Sequence, residues 1–246
     1  MKKRLLFLVL IFLLQSSYAQ NNLIYQDTIP FRADLGLIII PIKFNGVEKQ
    51  FAFDTGANYS ITYGWAKEEL SPTKKTIKIT SSSGLKSKMR FYKSGLIEFG
   101  SRKIRKHRIL NTKENKVFSC HNIDGILGVD IIKEFNWTID FNQNILIMYP
   151  ADYFPEKVKN MFSLDFDFQK KRPYVFVKRK DKKIRFLLDT GAGGFSNISK
   201  REYNFSTIDD FPNLETQTAN IDVNGILTSS EAKTVDFPEY FVQHIS

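Results

Sequence analysis

The chain carries one tetrapeptide twice. Asp54-Thr55-Gly56-Ala57 recurs as Asp189-Thr190-Gly191-Ala192 in its second half. Each copy follows the same local pattern. Leu37-Ile38-Ile39-Ile40-Pro41-Ile42-Lys43-Phe44 is an apolar, β-branched run, Asn45-Gly46 is a strong hairpin-turn signal, and Phe51-Ala52-Phe53 returns into Asp54. In the second half Tyr174-Val175-Phe176-Val177 is the outgoing run and Lys180-Asp181 occupies the turn. Ile184-Arg185-Phe186-Leu187-Leu188 then returns into Asp189. With Asp54 set on Asp189, turns and strands align at a single offset without a gap, which marks a duplicated unit.

The remaining pattern is also β-rich. Thr76-Ile77-Lys78-Ile79-Thr80 and Met89-Arg90-Phe91-Tyr92 flank the small-residue turn Ser81-Ser82-Ser83-Gly84, and Leu96-Ile97-Glu98-Phe99 and Arg108-Ile109-Leu110 read as strands. Asp124-Gly125-Ile126-Leu127-Gly128 precedes Val129 to Phe135, whose apolar spacing predicts a short helix. Thr138-Ile139-Asp140-Phe141 and Ile145 to Tyr149 predict a hairpin around Asn142-Gln143-Asn144, and Pro150 to about Asn160 reads as a linker. The expected fold class is all-β.

Two carboxylates on matching tight turns suggest a definite chemistry. Glycine at the third position, Gly56 and Gly191, lets each backbone turn sharply and approach its partner. Thr55 and Thr190 offer hydroxyls to bond across the pair. Two carboxylates ~3 Å apart cannot both ionise, so one proton is shared. The ionised member then acts as base on a water, and the protonated member polarises a substrate carbonyl. That chemistry requires neither metal nor cofactor.

With Phe53-Asp54-Thr55-Gly56-Ala57, Leu188-Asp189-Thr190-Gly191-Ala192 and Ile126-Leu127-Gly128 in view, the sequence resembles the aspartic proteases of the pepsin and retropepsin type. The resemblance spans roughly residues 35 to 240. It implies a two-lobed, acid-protease-like β-barrel architecture and an aspartic endopeptidase acting on peptide or protein substrates. Asp54 and Asp189 would be catalytic. Thr55, Gly56, Thr190, Gly191 and Gly128 would support the catalytic loops, and Ser82, Ser83 and Gly84 would form the tip of a flap. The expected domains are a leader over 1–19, a first lobe over 20–155 and a second over 156–246.

The two copies differ in length. The interval from Asp54 to Gly128, measured again from Asp189, would end at position 263, beyond the last residue, Ser246. Val223-Asn224-Gly225-Ile226-Leu227 reads as the second flap-type hairpin, not as a second Ile-Leu-Gly. The second lobe is therefore expected to be incomplete: either the chain is a fragment of a longer reading frame, or a homodimer partner or completing chain supplies the rest, or activity has been lost. The rival reading is a non-catalytic binding or assembly protein on the same scaffold.

Lys2-Lys3-Arg4, the apolar run Leu5 to Leu14 and the small residues Ser17 and Ala19 form the pattern of a secretory signal peptide. Cleavage after Ala19 would leave a mature chain from Gln20 to Ser246, exported to a periplasmic or extracellular space. Loss of Lys2, Lys3 and Arg4 would lower the formal charge from +10 to +7. No membrane span is expected in that mature chain. A single cysteine, Cys120, excludes an intramolecular disulfide and a cysteine-based zinc site, and is expected to be structural, either buried or outside the chemistry. The three histidines lack metal spacing, and Gly-x-Ser-x-Gly is absent. The basic runs Arg102 to Arg108 and Lys178 to Lys183 alternate with apolar residues or sit at a hairpin tip, so they read as solvated faces and no nucleic-acid partner is expected.

Overall fold

The computed structural model describes residues 26–155, 166–169, 171–179, 182–192, 197–198, 214–221 and 227–234, with side chains over 26–155, 171–176 and 185–192. The leader, residues 156–160 of the linker, the Lys180-Asp181 turn and the tip Val223 to Ile226 lie outside the described residues.

The described chain is all-β, as expected. Its strands are β1 (Asp27–Pro30), β2 (Arg32–Asp34), β3 (Leu37–Phe44), β4 (Val47–Phe53), β5 (Ile61–Tyr63), β6 (Ser71–Thr80), β7 (Lys86–Lys93), β8 (Ile97–Phe99), β9 (Arg102–Ile104) and β10 (Arg108–Thr112). They continue as β11 (Gly125–Leu127), β12 (Phe135–Asp140), β13 (Ile145–Pro150), β14 (Phe166–Gln169), β15 (Arg172–Arg179), β16 (Lys182–Leu187), β17 (Asn197–Ile198), β18 (Leu214–Ile221) and β19 (Leu227–Thr234). Three short helices interrupt them: α1 (Ala66–Glu69), α2 (Lys116–Cys120) and α3 (Val129–Ile132). The helix expected over Val129 to Phe135 is thus one turn long, because Phe135 already pairs with Pro150 in the β12–β13 ladder.

One large sheet has the order β6-β7-β10-β5-β11-β4-β3-β8-β9, with β2 also on β3. Strand β3 is buried on both faces. Ile38, Ile40, Ile42 and Phe44 enter the main core, whereas Leu37 and Ile39 join Ala52, Tyr63, Phe118, Ile123 and Ile126 on the other side. Burial on both faces explains why its sequence is a continuous apolar run and not an alternating one. Pro41, which has no N–H to donate, falls between the stretch paired with β2 up to Ile39 and the stretch paired with β8 from Lys43. At the β3–β4 turn Asn45 (φ 51°) and Gly46 (φ 87°) are both left-handed, the backbone that an Asn-Gly turn requires.

The repeat is visible in the pairing itself. Ile39 faces Ala52 and Ile42 faces Lys49 in the first copy; Tyr174 faces Leu187 and Val177 faces Ile184 in the second. Every partner is displaced by the same offset that separates Asp54 from Asp189. The flanking strand follows suit, with Arg32 opposite Ile39 and Asp167 opposite Tyr174. Beyond the Asp-Thr-Gly turns the copies diverge. β10 separates β7 from β5 in the first, whereas β19 pairs β17 directly in the second.

Candidate active site

Each Asp-Thr-Gly turn begins where a hairpin strand ends, at Phe53 on β4 and at Leu187 on β16. The first turn is held from behind by β11, which runs parallel to β4 with Ile126 beside Ala52 and Leu127 beside Phe53. Asp54 N–H donates to the Leu127 carbonyl at 2.9 Å, and Val129 N–H donates to the Ala57 carbonyl at 2.9 Å. Gly128 N–H donates to Ser60 Oγ at 2.9 Å. A side chain at Gly128 would drive into the backbone of Tyr59 and Ala57, so this position has room for glycine only.

The structure brings the two turns together. Thr55 N–H donates to Thr190 Oγ1 at 3.1 Å, and Thr190 N–H donates to Thr55 Oγ1 at 3.0 Å. The hydroxyls then donate across the pair: Thr55 Oγ1 to the Leu188 carbonyl at 2.6 Å and Thr190 Oγ1 to the Phe53 carbonyl at 2.7 Å. These four bonds use each hydroxyl once as donor and once as acceptor, related by a local two-fold. Gly56 lies against the Asp189 carboxylate and Gly191 against the Asp54 carboxylate, so a methyl group at either glycine would collide with the opposite acid.

The carboxylates are oriented by their own loops. Asp54 Oδ1 accepts N–H bonds from Gly56 at 2.7 Å and Ala57 at 3.0 Å, and Asp189 Oδ1 accepts one from Gly191 at 2.9 Å. Burial, and then the charge of Asp189 beside it, push the Asp54 carboxyl up to about 7, against the opposing pull of the Gly56 and Ala57 N–H groups. At neutral pH the Asp54 carboxyl therefore still holds a substantial share of protons. Such a pair offers one protonated and one ionised oxygen side by side, the requirement for concerted acid and base chemistry on one bound molecule.

Other residues complete the setting. Asp130 Oδ1 accepts from Ser60 N–H at 2.8 Å and Ser60 Oγ at 2.7 Å, while its Oδ2 lies 3.2 Å from His107 Nε2. The chain Gly128–Ser60–Asp130–His107 thus braces the first loop. Sequence reasoning misses Ser60, Asp130 and His107, because Asp130 sits within a helical pattern and nothing local links it to residue 60 or 107. Tyr59, five residues after Asp54, packs edge-on to Phe91 at 5.7 Å, and Lys171 Nζ donates to its hydroxyl at 3.2 Å.

Ser82, Ser83 and Gly84 lie at the tip of the β6–β7 hairpin, closed by Ser81 N–H to the Leu85 carbonyl at 2.9 Å, with Gly84 at φ +82°. Of the two alternatives for Cys120, burial does not hold: it is an exposed free thiol, because it lies at the end of α2 where only Phe118 turns inward. Among the described residues no group of three or more His, Cys, Asp or Glu side chains could hold a metal ion, and no helix is long and apolar enough to cross a membrane.

An all-β chain whose paired Asp-Thr-Gly turns interlock through their threonines defines a two-carboxylate site. Residues 40–131, which contain the first turn, β11 and the bracing residues, match a family described as aspartyl protease. A retropepsin-like aspartic protease from Rickettsia conorii is similar at 18% identity, over 50% of this chain and 92% of that one, with a TM-score of 0.35. No curated protein matches the chain.

Proposed function

We propose that the chain is an aspartic endopeptidase with Asp54 and Asp189 as its dyad, consistent with the aspartyl protease match over residues 40–131. The observation that carries this reading is the reciprocal Thr55–Thr190 bonding, which sets the two carboxylates against each other's glycine. The ionised carboxylate takes a proton from a water as the water oxygen attacks the peptide carbonyl carbon. The protonated carboxylate gives its proton to the carbonyl oxygen, forming a tetrahedral diol. Collapse re-forms the carbonyl, breaks the C–N bond and delivers a proton to the departing amine. Substrate would lie extended beneath the β6–β7 hairpin, with Ser82, Ser83 and Gly84 as the flap tip.

The same reading takes residues 20–155 and 156–246 as two lobes of one exported protein, released by cleavage after Ala19. Sizing of the active species decides whether a completing chain or a second copy takes part. The central test is Asp54→Asn beside Asp189→Asn. Each is expected to abolish peptide hydrolysis while leaving the circular dichroism of the fold unchanged. Turnover at the wild-type rate by either variant would refute the dyad. Dimerisation with no cleavage of a peptide library and no binding of a statine-type inhibitor would favour a non-catalytic scaffold instead.

A further inference from the structure

We propose that the face of the β6–β7 hairpin bearing Lys78, Lys86, Lys88 and Arg90 is a docking surface for an extended, acidic segment of polypeptide; that this polypeptide is the substrate rests on the peptidase reading above. Residues 71–93 hold seven cations, Lys74, Lys75, Lys78, Lys86, Lys88, Arg90 and Lys93, and no carboxylate. All seven are exposed. The register sets Lys78 directly opposite Lys88, with Arg90 opposite Thr76 and Lys86 opposite Thr80. Lys78, Lys86, Lys88 and Arg90 therefore share one face of a two-stranded ribbon. The other face, carrying Ile77, Ile79, Met89 and Phe91, packs with Tyr59, Ile61 and Leu110.

Among the described residues nothing compensates this charge. None of the four cations forms an ion pair with a described residue. Like charges directly opposite each other on paired strands oppose folding. Lysines on an edge strand commonly guard against edge-to-edge aggregation, which would account for those on β6. It does not account for Arg90, which lies where β7 is paired on both sides, opposite Thr76 on β6 and Asn111 on β10. The arrangement of the four fits recognition of an external anion.

The occupant follows from spacing. Alternate residues on a strand lie ~6.8 Å apart, so Lys86, Lys88 and Arg90 present charges at the repeat of every second side chain in an extended peptide. The apolar face of the hairpin packs on Tyr59, five residues from Asp54, so the cations on the opposite face point away from that packing and offer a surface outside the two-carboxylate site. Among the large apolar side chains of the hairpin only Leu85 stands exposed, which is too little apolar area to seat the ribbon in a lipid surface.

The test measures binding without turnover. The full chain and its Asp54→Asn variant are titrated into a fluorescent peptide of alternating Glu and Thr and into its Gln-Thr counterpart, and binding is read by anisotropy. The Glu peptide is expected to bind more tightly, with affinity that falls as salt shortens the Debye length below about 10 Å. Lys78→Gln/Lys88→Gln should weaken it by about tenfold, the size of two exposed ion pairs. Lys78→Glu/Lys88→Glu should reverse the preference toward a Lys-Thr peptide, which a merely misfolded variant would not do. Equal binding of the Glu and Gln peptides overturns the proposal. So does retention on anionic phospholipid vesicles at a salt concentration that releases the Glu peptide. Binding without hydrolysis of any peptide would count against the peptidase reading alone and leave the docking surface standing.

Discussion

At the scale of the residue, the protein turns on where a proton sits. An aspartate taken from water into this cleft loses solvation of its charged form, and Asp189 beside it adds repulsion, so the Asp54 carboxyl rises from 3.8 to about 7. The consequence for stability has a definite sign. Between about pH 4 and pH 7 the folded protein keeps a proton that the unfolded chain has released, so this group's contribution to stability falls as pH rises across that window. Asp54→Asn removes the titration. Chemical unfolding of wild type and variant in parallel should show the wild type losing ground steadily across that window and level above it. The threonines act differently. Thr55→Ala removes a donor from the Leu188 carbonyl and an acceptor from Thr190 N–H, at a cost of about 1–3 kcal/mol. Thr55→Ser keeps both bonds and should retain most of the stability and activity in the same urea and peptidase assays.

At the scale of the element, the first Asp-Thr-Gly turn depends on β11. That strand is three residues long and supplies the Leu127 carbonyl; it leads directly into Gly128, whose N–H bonds Ser60, and into α3, which carries the Asp130 carboxylate. Asp130→Ala would leave the Ser60 N–H and hydroxyl without their acceptor in a buried place, costing about 1–3 kcal/mol. Thermal unfolding is expected to show the loss, and Asp130→Asn, which keeps one carbonyl oxygen, to recover part of it. Elements differ in how far they could be foreseen. The β3–β4 hairpin was legible because its signals are local: a β-branched run, an Asn-Gly turn and a return strand. Strands β1, β5 and β9 were not, because each is very short and takes its place from its partners. β5 is held by β10 and β11, both far along the chain from it. The helix α2 was also missed, although Asn115 caps it by accepting from the Val117 and Phe118 N–H groups.

At the scale of the molecule, two turns from opposite halves of the chain must meet before any site exists. The reciprocal threonine bonds make that meeting measurable. If they form in solution, Thr55→Ala and Thr190→Ala will not be additive, and a double-mutant cycle in urea will return a coupling of about 1 kcal/mol or more. Independent losses would mean that the turns do not interlock. Peptide hydrolysis, which needs the shared proton, is expected to decline as pH rises through about 7, where that proton leaves.

The sequence by itself determined that the chain is β-built, that one hairpin-and-turn unit is duplicated, and which two aspartates end those units. Those properties are written in local periodicity, turn residues and repeated spacing, all of which act over a few residues. Tertiary structure alone decided that Ser60, Asp130 and His107 brace the first turn, and that the ribbon carrying Lys78 and Lys88 packs its other side on Tyr59. Each of these is a contact between residues separated by a fold. Proximity of that kind is set by strand register and sheet order, and has no trace in the neighbouring sequence.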